Sequence, residues 1–254
     1  MSDEEKHVLL STLKFYMDEI KNNVKNGRNL DSETLKNLRE TAVRRLLNTK
    51  LKEVSQNYLK DLEEALKVSG LCYFKLKLRT EQNLIIGWSP IYFITEVPLS
   101  WDILLDVPYI PGSTVKGIIR SFFEEINKNI NFSNAIFGSK NDAGRVVFFD
   151  AYPTGGERLL AIDIINPHYN RGTKTEYDVQ PIPVKFLAIR KGVEFTSYIA
   201  FYRNDLKIDG NDLLQDLLKA ILFSIKMGWG RMTARGYGEL GLVSSEVEIS
   251  CQNY

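Results

Sequence analysis

Leu71-Cys72-Tyr73-Phe74-Lys75-Leu76-Lys77-Leu78-Arg79 is where the pattern of the chain changes. Cys72, Phe74, Leu76 and Leu78 alternate with Tyr73, Lys75, Lys77 and Arg79. That period of two marks a strand with an apolar inner face and a cationic outer face. Before it, residues 4–69 follow a helical period. One helix carries Leu9, Leu13, Tyr16, Met17, Ile20 and Val24 and breaks at Asn26-Gly27. A second, capped by Asp31 or Ser32, carries Leu35, Leu38, Ala42 and Leu46. A third carries Leu51, Val54, Tyr58, Leu62 and Ala65 and stops at Ser69-Gly70. After the strand, residues 80–109 read as a long irregular excursion, and a helix spans about Ser113 to Asn127. Strands fall near 145–150, 159–165, 184–190 and 193–202, with a loop over 166–182. Asp212 to Met227 forms a second core helix, and Leu240 to Ile249 the last strand. The order from residue 71 matches an α+β, ferredoxin-like (RRM-like) sandwich with insertions near 80–109 and 166–182. The expected division is a helical lobe over 1–70 and a ferredoxin-like domain over 71–254.

Composition narrows the class. The chain has 254 residues, of which 44% are hydrophobic, enough for a real core. Its net charge is only +1, so any nucleic-acid contact must come from local clusters of cations. Its two cysteines, Cys72 and Cys251, imply no disulfide framework and fit a reducing interior. The acidic N-terminus lacks the apolar core of a signal peptide. No apolar run approaches the ~20 residues of a membrane span. A soluble cytoplasmic protein is expected. Two histidines and two distant cysteines offer no zinc spacing, so neither metal nor cofactor is expected.

Two segments carry chemistry. Gly228-Trp229-Gly230-Arg231-Met232-Thr233-Ala234-Arg235-Gly236-Tyr237-Gly238 joins a helix to a strand. Its glycines allow φ > 0 and close backbone approach, so that several N–H groups can face one anion beside two arginines. Tyr109-Ile110-Pro111-Gly112-Ser113-Thr114-Val115-Lys116-Gly117-Ile118-Ile119-Arg120 reads as a tight turn opening a helix, where free N–H groups attract anions. Two such loops suggest one surface for a polyphosphate chain, meaning nucleic acid. A salt bridge between Arg120 and Glu124 is the rival use of Arg120.

These segments also resemble a known family. Ile110 to Arg120 is similar to the "IPGSSLKGxLR" signature of RAMP proteins, the RNA-binding subunits of CRISPR effectors, with Thr114 where serine is usual. Gly228 to Gly238 resembles their C-terminal glycine-rich loop. Phe137-Gly138-Ser139 with Gly144 to Pro153 resembles a third family segment. Asp163 to Tyr169, followed by Pro181 to Ile189, is similar to sixth subunits of type III-B Cmr complexes. The resemblance covers roughly residues 71–245.

The resemblance implies a CRISPR subunit of antiviral defence that binds crRNA and target RNA and caps the backbone filament near the 3′ end of the guide. Its partners would be the backbone RAMP subunit, the small helical subunit and another terminal RAMP subunit. The implied role is non-catalytic, since no His-Asp nuclease pair and no Gly-Gly-Asp-Asp signature occurs. The candidate RNA contacts are Ser113, Thr114, Lys116 and Arg120, then Arg231, Thr233, Arg235 and Tyr237, with His168 and Tyr169 in a structural or stacking role. The alternative is a metal-independent CRISPR RNA endoribonuclease using His168 as acid or base. Asp102 and Asp106 read as ordinary loop carboxylates. Trp88 and Trp101 lie in the 80–109 excursion, where core packing competes with stacking on RNA.

Overall fold

The computed structural model describes residues 7–87, 97, 99–165, 183–208, 211–244 and 247–251. Three helices come first: α1 (Val8–Lys25), α2 (Ser32–Leu46) and α3 (Glu53–Val68). Strand β1 (Cys72–Thr80) follows, then the short β2 (Trp101–Asp102) and β3 (Val107–Pro108). Next are α4 (Gly112–Ile126), α5 (Ile130–Phe137), β4 (Val146–Phe148) and β5 (Tyr152–Gly155). Strands β6 (Leu160–Ile165), β7 (Val184–Ile189) and β8 (Glu194–Phe201) come before the short β9 (Lys207–Ile208) and β10 (Asn211–Asp212). The chain closes with α6 (Leu213–Met227), β11 (Leu240–Leu242) and β12 (Glu248–Ser250). The class is α+β with antiparallel sheets. Among the described residues, no helix is long and apolar enough to cross a membrane.

β1 lies at the centre of the main sheet. β8 pairs with it antiparallel from Cys72↔Phe201 to Arg79↔Glu194. The other edge of β1 is shared: β11 takes Leu78 to Thr80 and β12 takes Tyr73 to Lys75. The far edge of β8 is shared too, by β4 and β5. The strand expected over Leu240 to Ile249 is thus two short ones, and β5 is an added strand in the Pro153–Gly156 stretch that the sequence marks as a turn between strands. The break between β4 and β5 has a physical reason: there the chain turns away to carry Asp150 to the start of α4.

The alternation in β1 holds from Phe74 to Arg79, while Tyr73, expected on the outer face, is buried. Phe74, Leu76 and Leu78 are buried, while Lys75 and Lys77 are half-buried and Arg79 is exposed. The outer face is not a free cationic surface, because each cation meets a carboxylate. Lys75 pairs with Glu63, Lys77 with Glu248 and Arg79 with Glu194. On the apolar side the core includes Val115, Ile119 and Phe123 of α4 and Leu217, Ile221 and Ile225 of α6. The same contiguous core takes in Leu9, Leu46, Leu59 and Leu66 of the N-terminal helices. In α3 the buried positions are Ser55, Leu59 and Leu66. Val54 and Tyr58, expected inside, are exposed.

One expectation is overturned. Cys72 and Cys251 form a disulfide across 179 positions of sequence. The register explains the pairing: Tyr73 faces Ser250, so the next pair outward is Cys72 and Cys251. The bond fastens β12 to the start of β1.

Candidate nucleic-acid interface

α4 begins at Gly112, after Pro111. Its opening is closely packed, since a Cβ on Gly112 would collide with the carbonyl of Phe148. The Gly112 N–H donates to Asp150 Oδ1 at 2.6 Å. Thr114 and Val115 donate to the Pro111 carbonyl. Of the first N–H groups only that of exposed Ser113 is left for an outside acceptor, among the described residues. The helix start expected to greet an anion already carries one from its own chain.

The glycine-rich loop folds on itself. Trp229 is fully buried and its indole N–H donates to Ser224 Oγ at 3.1 Å. Its backbone N–H donates to the Gly238 carbonyl, and the Gly238 N–H to the Asn83 carbonyl. Gly230 and Gly238 have positive φ and sit where a Cβ would strike the carbonyls of Ile85 and Trp229. These glycines therefore serve backbone geometry directly. Beyond them Met232 is left-handed (φ 62°), and Thr233–Arg235 forms a single 3-10 turn. Such a left-handed residue before a turn gathers N–H groups toward one point. The N–H groups of Met232, Thr233 and Ala234 have no acceptor among the described residues. Arg231 and Arg235, both exposed, flank them.

The two segments meet. A cleft of about 430 Å³ is lined by Tyr109, Ser113 and Thr114 on one side and by Gly230 and Arg231 on the other. Ile86, Gly87 and Ser100 complete the wall. Hydrogen bonds explain the convergence: Arg231 N–H donates to the Ile85 carbonyl, Ser100 N–H to Ile86, and Tyr109 N–H to Ser100. Part of the excursion over 80–109 is thus ordered and forms the wall between the two motifs. Trp101 from the same excursion is a buried core residue, and Trp88 lies outside the described residues.

Tyr109, the first residue of the segment that opens α4 but not among the candidate RNA contacts, also lines the cleft. Its ring stacks on that of Tyr152 at 5.7 Å and 14°, and Tyr58 meets Tyr152 edge-on. The Tyr152 hydroxyl donates to Asp102 Oδ2 at 2.6 Å. Burial, with Asp150 and Asp102 nearby, raises the pKa of Tyr109 and keeps it neutral.

The remaining candidates divide. Lys116 and Arg120 line another cleft, of about 630 Å³, with Asn134, Ser139 and Lys140. The Arg120 guanidinium donates to Glu124, to the Gly138 carbonyl and to Asn134 Oδ1. It clamps α4 to α5 and the following loop. Thr233 is exposed on the 3-10 turn. The Tyr237 hydroxyl donates to Asp163 Oδ2 at 2.8 Å, and burial followed by that bond raises its pKa to about 12. His168 and Tyr169 lie outside the described residues.

Asp106 and Asp102 are not the ordinary loop carboxylates expected. Asp106 is buried and accepts the N–H groups of Val8 and Leu9 at the start of α1. Asp102 accepts from Tyr152 and from the N–H groups of Leu104 and Leu105.

Comparison with known proteins adds an independent line. Residues 77–241 match the RAMP superfamily. The CRISPR system CMR subunit Cmr6 of Saccharolobus solfataricus is 32% identical over 223 residues, covering 85% of this chain and 75% of that protein. The Cmr6 subunit of Pyrococcus furiosus is 27% identical, covering 79% and 76%. A chain in the cryo-EM structure of the type III-B Cmr-beta bound to cognate target RNA has a TM-score of 0.78 at 25% identity. It covers 97% of this chain and 93% of its own length.

Proposed function

Because this chain belongs to the RAMP superfamily, we propose that it is a subunit of a type III-B CRISPR effector complex, as its Cmr6 relatives are by name. Within that reading it binds crRNA, caps the backbone near the 3′ end of the guide and serves in antiviral defence in the cytoplasm. The observation that carries it is the cleft where Ser113 and Thr114 meet Arg231, from segments more than a hundred positions apart. Ser113 N–H and the N–H groups of Met232, Thr233 and Ala234 can donate to phosphate oxygens, and Arg231 and Arg235 supply charge. Such contacts fix register and carry little sequence information.

The fold reading is ferredoxin-like, supported by the order β1-α4-β4-β8-α6-β11 with an antiparallel sheet ordered β11-β1-β8-β4. The role is binding without catalysis: the cleft offers hydroxyls, a neutral tyrosine and an arginine, which hold a phosphodiester and supply no acid or base near neutral pH. Contact with the backbone, small helical and second terminal subunits draws support from exposed Met17, Val24 and Val54 on α1 and α3.

The test compares wild type with Arg231→Ala/Arg235→Ala in RNA binding across a salt series. A slope shallower by roughly 1.4 for two lost phosphate contacts supports the clamp; an unchanged slope overturns it. His168→Ala should leave RNA cleavage at background. Cleavage by wild type that this variant loses would replace the binding role with the nuclease.

A further inference from the structure

Charge is unevenly spread over the surface. Two clefts gather cations on a chain whose net charge is only +1. One, of about 820 Å³, runs between α2 and the β6–β7 hairpin, with Lys36, Arg39 and Arg44 on one wall and Lys185 on the other. Its carboxylate, Glu40, is held by Lys185 at 2.7 Å. The second, of about 440 Å³, is lined by Arg158, Arg190 and Lys191. Arg158 precedes β6 and the other two follow β7; because Leu160 pairs with Ile189, these three cations gather at the open end of the hairpin. Ile162, on β6 and exposed, lines both clefts and joins them into one trough.

Six of these cations, all but Lys185, form no ion pair with a described residue. They are exposed. On the outer face of β1, by contrast, each cation is paired with a carboxylate. Glu40 also attracts Lys36 and Arg44, but one carboxylate stands against seven cations, and such a surplus of like charge attracts an anion along it.

We propose that this trough is a second track for a nucleic-acid backbone, a single strand of RNA, separate from the Ser113–Arg231 cleft. The proposal rests on the reading that the partner is RNA. An acidic helix would need a continuous apolar floor, and at the Arg158 end the apolar lining narrows to Leu47, Leu160, Ala161 and Ile162. Cations on both walls suit a threaded chain of phosphates. Continuity with the first site comes from Asn83. Its carbonyl accepts the Gly238 N–H of the glycine-rich loop, and its side-chain oxygen accepts the Lys191 N–H of the trough. A strand leaving the loop can pass directly onto the trough.

The experiment measures a fluorescent 20-nucleotide oligouridylate on the full chain, alone and in the reconstituted complex, from low to high salt. The variant Arg158→Ala/Arg190→Ala/Lys191→Ala removes three phosphate partners. It should melt as wild type does, because none of the three side chains has a hydrogen bond or ion pair with a described residue. Its salt slope should fall by about 2 and its affinity at low salt by at least about tenfold. Arg158→Lys/Arg190→Lys, which keeps the charge, should keep the slope. Unchanged binding by the alanine variant overturns the trough, and a loss confined to Arg231→Ala/Arg235→Ala would do so while leaving the first site standing. Displacement of poly-glutamate but not of RNA would make the trough a protein-docking site and overturn the proposal.

Discussion

The Asp150 carboxylate accepts the Gly112 N–H at 2.6 Å, which places a negative charge of the chain beside the first residues of α4. Ser113, one position on, lines the candidate cleft. A phosphate there feels repulsion from Asp150 as well as attraction from Arg231. Asp150→Asn keeps an acceptor for Gly112 and removes the charge. At a separation of ~8 Å and an intermediate dielectric the repulsion is worth about 1 kcal/mol. RNA affinity should therefore rise by about fivefold in the variant, while thermal stability falls by about 1 kcal/mol for the weakened cap. Fluorescence anisotropy and a thermal melt read the two effects separately. Weaker binding in Asp150→Asn would mean that phosphate does not approach this helix start.

Asp106 fastens the N-terminal helices to the rest of the molecule. It accepts from Val8 and Leu9 at the start of α1 and lies 3.5 Å from the Lys52 ammonium. It is buried, and it is one of two non-glycine residues with positive φ among the described residues. Asp106→Ala leaves two N–H groups and a buried cation without this partner and should cost about 3 kcal/mol. Asp106→Asn tolerates the left-handed backbone and can still accept, so its cost should be about 1 kcal/mol. Chemical denaturation of both variants measures the difference. Equal costs would show that the charge of Asp106 matters little.

What the sequence made legible follows from where each signal is local. The period of β1 was readable because one face meets the helices and the other meets charged partners. The span of α4, expected from Ser113, begins at Gly112. The inner face of α3 was misread: Val54 and Tyr58 fall at helical spacing, but the core takes Ser55, Leu59 and Leu66. α5 gave no period to read, being a short and largely apolar run. β5 was hidden by Pro153, which reads as a turn yet sits in a strand at the sheet margin. The meeting of the two motifs was inferred from shared chemistry alone. The Arg120–Glu124 pair is legible as an i,i+4 spacing, whereas the capping by Asp150 and the gathering of Arg158, Arg190 and Lys191 depend on tertiary contacts that no local pattern announces.

The Cys72–Cys251 bond predicts a reductant-dependent melt. Closing a loop of this length restricts the unfolded chain; a chain-entropy account gives about 5 kcal/mol, and disulfides commonly deliver about 2 to 4. Cys251→Ser should melt below wild type without reductant, and wild type with reductant should approach the variant. Thiol titration of the unfolded chain should find free cysteines only after reduction. A wild-type melt indifferent to reductant would mean that the backbone pairing of β12 suffices to hold it.

Glu63 gives a prediction about acid. Burial opposes its ionisation, but hydrogen bonds from Lys75, Tyr198 and Lys67 outweigh that cost and lower its pKa to about 2 from an ordinary 4.5. A carboxyl depressed in the folded state contributes stability that is complete above its unfolded pKa. That stability is lost as pH falls from about 4.5 to about 2. Glu63 joins α3 to the outer face of β1 and β8, so its protonation loosens the N-terminal helices from the sheet. Glu63→Gln should be less stable than wild type at pH 7. The gap should narrow steadily on acidification below 4.5, because only wild type loses the paired charge. Thermal melts of both proteins across pH 2.5 to 7 measure the gap. A constant difference over that range would show that the Lys75 and Tyr198 contacts do not depend on the charge of Glu63.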